Sequence, residues 1–136
     1  MTDAQLVAKK LAFIETCVRE LRTLADPQRI GADVREERFV EHTLQIAIQA
    51  ALDVASHIVS DGRLGEPATQ SELFDLLARH GKLPGDLART LRAMVGFRNI
   101  LVHGYAQVQP EIVKDIVEHR LDDLLLFAAA IRRSSP

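Results

Sequence analysis

Apolar residues recur at intervals of three and four along almost the whole chain and nowhere alternate at the interval of two that a half-buried strand needs. Residues 3–25 carry Val7, Leu11, Ile14, Val18, Leu21 and Ala25 on one stripe, the mark of an amphipathic helix in a bundle, and Pro27 ends it. After Gly31, Asp33 and Glu36 stand as an N-cap and its capping acid. They open a second stripe through Val40, Leu44, Ala47, Ala51, Val54 and Ile58. A helix from 34 to 60 would be about 40 Å long, more than one side of a compact domain needs, and so a frame for other helices or a partner.

The segment Asp61-Gly62-Arg63-Leu64-Gly65-Glu66-Pro67 is turn chemistry. Thr69 and Glu72 repeat the capping-box signature before Leu73, Phe74, Leu76 and Leu77, with Gly81 placed as a stop for a short third helix. Pro84-Gly85-Asp86 starts a fourth helix that runs to about Val102. Beyond the loop at 104–109, Pro110 fits a first helical position, and Val113, Val117, Leu121, Leu124, Ala128 and Ile131 trace one last helix, with a frayed tail at 134–136. The expected fold is all-α, an up-and-down bundle of four to five helices, with the 136 residues forming a single domain over 1–136.

Composition excludes several classes. A hydrophobic content of 47% describes a globular chain, and no apolar run reaches the roughly 20 residues that span a bilayer. Lys9 and Lys10 fall inside an amphipathic pattern rather than a signal-peptide layout, so the expected location is cytoplasmic, with no membrane partner. A net charge of −2 supplies no broad basic field, so attraction to a nucleic acid would have to come from a local patch. The lone Cys17, at helical spacing among apolar neighbours, reads as a core thiol rather than a nucleophile.

The fourth helix holds the chemistry. Leu87, Leu91, Met94, Arg98 and Leu101 share one stripe; Arg89, Arg92, Gly96, Asn99 and His103 share another, nearly opposite and basic. Arg98 therefore interrupts an apolar stripe, where an unpaired guanidinium is expensive to desolvate. It must meet an acid such as Glu41 or Asp53 on the second helix, or open onto a cleft. Gly96 either admits a close neighbour, a partner helix or a phosphate, or is a tolerated glycine on a solvated face. On a straight helix Arg98 and His103 diverge by about 140°. Either the helix loosens near Gly104 or a two-fold related copy completes the pocket; Phe97 and Ile100, apolar and off the first stripe, favour a homodimer with these groups at its interface. An imidazole titrating near neutrality and a forked guanidinium suit cleavage of a phosphodiester by its neighbouring 2′-hydroxyl, and neither role requires a metal.

Other groupings are weaker. Asp53 and His57, four apart, could offer two metal ligands, but no third is placed, and a hydrogen-bonded pair is the simpler reading. His42, His80 and His119 stand alone, Asp122 and Asp123 point to different faces, and Arg132 and Arg133 read as solvated C-terminal charge favoured by the helix dipole. No glycine-rich phosphate loop, nucleophile elbow or zinc spacing occurs, so no cofactor or metal is expected.

The stretch Gly96-Phe97-Arg98-Asn99-Ile100-Leu101-Val102-His103-Gly104-Tyr105 carries R-x4-H-x-Y and resembles the signature of the HEPN family, in particular the HepT toxins that pair with an MntA-type nucleotidyltransferase antitoxin. Residues 46–57 of the second helix and Leu76-Leu77-Ala78-Arg79-His80-Gly81 are similar to the same family, so the likeness covers nearly the whole chain. The resemblance implies a homodimeric bundle and a metal-independent endoribonuclease that cleaves RNA with Arg98 and His103 at the dimer interface. It also implies that Asn99 orients the histidine or a phosphate, and that Tyr105 is the tyrosine adenylylated by the antitoxin, where added charge and bulk would repel an RNA backbone. Arg89 and Arg92 are candidate RNA contacts, although an exposed helix face carries such residues anyway. The other function consistent with these residues is a non-catalytic helical interaction module that docks a nucleotidyltransferase.

Overall fold

A computed structural model of the chain describes residues 3–103 and 108–134. Apart from a single 3-10 turn at Pro27–Arg29, the regular elements are α-helices: α1 (Ala4–Leu24), α2 (Val34–Gly62), α3 (Glu72–Arg79), α4 (Gly85–His103), α5 (Pro110–His119) and α6 (Leu121–Ser134). Asp33 caps α2 by accepting from the Arg35 and Glu36 amides, at 2.8 and 3.4 Å. The capping acid reaches further back than the simple box: Glu36 accepts from the Asp26 N–H at 2.9 Å and so fastens the start of the α1–α2 connection to α2. The box expected at Thr69 and Glu72 does not form. Glu72 instead accepts from the Ala68 N–H at 2.8 Å, and Thr69 Oγ1 pairs with Ser71 Oγ at 3.1 Å. Gly81 does end α3, at φ +74, with the Lys82 N–H returning to the Leu77 carbonyl at 2.8 Å.

One long helix was expected after Pro110, and the chain makes two, broken at Arg120. There is no glycine or proline at the break. The apolar stripe passes across it without losing register, from Val113 and Val117 to Leu121, Leu124, Ala128 and Ile131, all of them buried. Asp122 and Asp123 then fall in the first turn of α6, where carboxylates suit the helix dipole, and Asp122 takes the Arg22 guanidinium of α1.

All six helices contribute to one core cluster. α2 is its frame, packed against α1, α3, α4, α5 and α6. Phe74 of α3 and Phe127 of α6 meet edge to face in that core, ring centres 5.8 Å apart. Cys17 is buried in it, and burial pushes its thiol up to about 11, as an inert core group requires. Among the described residues no helix is long and apolar enough to cross a membrane.

Candidate active site

α4 presents two faces as its sequence predicts. Leu87, Leu91, Met94 and Leu101 are buried, and Ala88, Val95 and Phe97 widen that buried face. Arg89, Arg92, Gly96, Asn99 and His103 are exposed, joined by Ile100, which is 43% exposed. No atom comes within 4 Å of where a Gly96 side chain would begin, so the packing of this copy places nothing against that glycine.

Arg98, half-buried, turns from the apolar stripe toward α2 and the segment before α3. No acid receives it among the described residues. Its Nη1 donates to Gln49 Oε1 at 2.7 Å, and its Nη2 donates to Gln70 Oε1 and to Asn99 Oδ1, both at 3.0 Å. Its Nε is buried without a partner among the described residues, a state that for a buried donor costs about 1–3 kcal/mol. Of the two acids offered for an ion pair, Asp53 is engaged elsewhere and Glu41 faces a different cleft. Asp53 accepts from Lys10 Nζ at 3.1 Å through Oδ2 and from Gln49 Nε2 at 2.9 Å through Oδ1. Glu41 lines a cleft of about 650 Å³ with Glu37, Arg38 and His42; burial, then the nearby Glu37 carboxylate, hold its carboxyl above the usual glutamate range.

Asn99, expected to orient the histidine or a phosphate, instead accepts from Arg98, and His103 makes no hydrogen bond with the pair among the described residues. α4 is regular through His103, the loosening expected near Gly104 falls outside the described residues, and the exposed imidazole makes no hydrogen bond among the described residues. Tyr105 lies outside the described residues. Arg89 stands exposed, whereas Arg92 is ion-paired with Asp75 of α3, which offsets part of the charge it could show to a phosphate. The histidine and acid weighed as metal ligands serve the α1–α2 packing: His57 Nε2 accepts the Asp3 N–H at 3.0 Å while Asp53 takes Lys10.

Gln49 and Gln70 are the site residues that the sequence alone did not single out. Gln49 carried one signal, its four-residue spacing from Asp53 on α2; Gln70 carried none, since only the fold brings residue 70 beside residue 98. Both open onto a polar cleft of about 340 Å³ that also takes in Asp53, Ser56 and Thr69. A guanidinium held by neutral oxygens beside such a cleft retains its full charge for an anion.

An all-helical bundle with R-x4-H-x-Y at the end of its fourth helix defines a HEPN-type protein. The ribonuclease HepT-like family model matches residues 14–131, and the chain belongs to that family. It is 31% identical over 128 residues to the mRNA nuclease HepT of Shewanella oneidensis, covering 93% of this chain and 96% of that one. Over 96 residues it is 31% identical to the tRNA nuclease HepT of Aphanizomenon flos-aquae, covering 71% of this chain and 65% of the other. Among solved structures, a tri-AMPylated HEPN toxin of Shewanella oneidensis in complex with an MNT antitoxin superposes with a TM-score of 0.89 at 31% identity, over 98% of this chain and 100% of that one.

Proposed function

We propose that this chain, acting as one domain over 1–136, is the toxin of a toxin–antitoxin pair: a cytoplasmic, homodimeric, metal-independent endoribonuclease. The reaction is attack of a 2′-hydroxyl on the adjacent phosphorus, so that the O2′–P bond forms and the P–O5′ bond breaks. His103 removes the 2′ proton or protonates the departing oxygen, and Arg98 braces the charge that develops on the phosphorane. Asn99 steadies the guanidinium, Arg89 draws in the backbone, and Arg92 does so more weakly because Asp75 already holds it. The cognate nucleotidyltransferase adenylylates Tyr105, two residues from His103, and the added phosphate repels RNA. The carrying observation is that Arg98, in a member of a ribonuclease family, meets amide oxygens and no carboxylate.

The shape of α4 supports the dimer. With the helix regular to His103, Arg98 and His103 leave it in different directions, and the exposed face that bears His103 also shows Ile100 and the open space at Gly96. A second copy against that face brings the arginine of one to the histidine of the other. Arg98→Ala and His103→Ala should each abolish growth arrest and RNA cleavage. Mixed and refolded together, they should regain up to about a quarter of parental cleavage, because half the dimers are mixed and one of the two crossings in each is intact. Full toxicity of either single variant discards the assigned site, and a mixture that stays dead confines the site to one copy. Incubation with the partner enzyme and ATP should add AMP to the parent and not to Tyr105→Phe.

A further inference from the structure

The amides around Arg98 form a graded arrangement. Gln49 sits half-buried on α2 and is itself held: its Nε2 donates to Asp53 Oδ1 at 2.9 Å, and Lys10 Nζ donates to the other Asp53 oxygen at 3.1 Å. A primary amide between a guanidinium and a carboxylate can satisfy both in one orientation only, oxygen toward the arginine and nitrogen toward the acid. Asp53 therefore dictates which end of Gln49 faces Arg98. The other two partners, Gln70 and Asn99, are exposed and share Nη2.

Counting donors shows what this permits. Of the five guanidinium N–H groups, one goes to Gln49, two go to Gln70 and Asn99, Nε is buried without a partner among the described residues, and a single Nη1 N–H remains, too few for a fork by itself. A phosphate can take a forked grip on Arg98 only by displacing an exposed amide. Exchange of a neutral acceptor for an anionic one is favourable because the guanidinium then gains a Coulombic attraction in addition to its hydrogen bonds. Had the cradle been built from Glu rather than Gln, the charge would already be cancelled and the exchange would gain little.

We propose that Gln49, oriented by Asp53 and Lys10, is a positioning residue for Arg98, and that the cradle is made of amides so that the guanidinium is aimed without being neutralised while Gln70 and Asn99 yield to the substrate phosphate. This rests on the nuclease reading above, and Arg98→Ala separates the two. If Arg98→Ala cleaves normally, the nuclease site itself is misplaced. If it is inactive, the Gln49 variants decide the cradle.

The experiment measures kcat and KM on a fluorophore–quencher RNA oligonucleotide of mixed sequence, with a thermal melt of each variant. Gln49→Met keeps the bulk and removes the acceptor; Gln49→Glu keeps the acceptor and adds the charge. Cleavage should fall in the order parent, Gln49→Met, Gln49→Glu, with kcat for Gln49→Glu reduced on the order of tenfold to a hundredfold, less than the roughly hundredfold to thousandfold for a lost transition-state donor because Arg98 itself remains. Cleavage by Gln49→Glu equal to or above that of Gln49→Met overturns the proposal. Should Gln49→Glu fail to fold, Gln70→Glu, in the exposed segment before α3, puts the same charge on Nη2: a several-fold fall in kcat supports the proposal, and parental kinetics overturn it.

Discussion

Two arginines show how a partner's charge assigns a side chain its work. Arg132 of α6 donates from Nη1 and Nη2 to the two carboxylate oxygens of Glu15 on α1, at 2.6 and 2.8 Å, a forked pair that ties the last helix to the first. Arg98 of α4 also bridges to another helix, but through the Gln49 amide. The hydrogen bond from Arg132 holds the Glu15 carboxyl below the usual glutamate range, so the pair is charged and mutually cancelled. Burial does not separate the two roles, since the side chains of the Arg132 pair are 47% and 35% exposed while Arg98 is half-buried. Net charge left over does: the Arg132–Glu15 bridge presents none, and the amide-held guanidinium presents all of its own.

The sharpest way to break that contrast is to delete each arginine in turn. Arg98→Ala should lower RNA cleavage by at least about a hundredfold, in the range for a lost charge-stabilising donor, and should lower Tm by only a few degrees, since the three hydrogen bonds lost go to exposed or half-buried amides and an orphaned buried Nε is removed with them. Arg132→Ala should leave cleavage at the parental rate and lower Tm by about 2–4 °C, as expected for a half-exposed pair worth at most ~1 kcal/mol. A large fall in Tm for Arg98→Ala with cleavage intact would make that residue structural and the chain an interaction module.

The pH dependence of Arg132→Ala sharpens the same point. Glu15 has a lowered pKa in the folded state, so its contribution is fully present above the ordinary glutamate value of about 4.3 and is lost as pH falls through the lowered one. Melting curves of parent and Arg132→Ala should therefore stand apart at neutral pH and converge in acid below that range. A gap that persists after Glu15 is protonated would mean that Arg132 acts through packing rather than charge.

Much of this was legible in the chain because it is local. The stripe through Val40, Leu44, Ala47, Ala51 and Val54 predicts α2, and each of those residues is buried; the Asp33 cap and the Gly81 stop fall where their chemistry places them. What escaped was decided between distant segments. Arg132 reads as a solvated C-terminal charge until α1 brings Glu15 beside it, 117 positions away. The break at Arg120 is silent because the stripe keeps its register across it. Arg98 was identified as a guanidinium that must find a partner, but periodicity cannot distinguish an acid such as Asp53 from the glutamine one turn earlier, and Lys10 is what takes the acid away.

The smallest expected effect concerns the opposite kind of carboxylate. Glu41 on α2 has its pKa raised by burial and by Glu37, with Arg38 only partly countering, and no hydrogen bond or ion pair holds it among the described residues. For an acid whose folded pKa lies above the unfolded one, the folded state binds more protons between the two values. Stability then declines as pH rises through that window, and the penalty is complete above the folded pKa. Glu41→Gln removes the penalty while keeping the shape, so it should raise Tm by about 1–2 °C at neutral pH and change nothing in acid, where Glu41 is protonated in both states. Both differences close in acid, but at neutral pH the sign is opposite to that at Glu15, where the charged form is the stabilised one. A Glu41→Gln variant that melts lower than the parent at neutral pH would show that the carboxylate is held by an attraction the folded chain supplies, and would place Glu41 with Glu15 rather than against it.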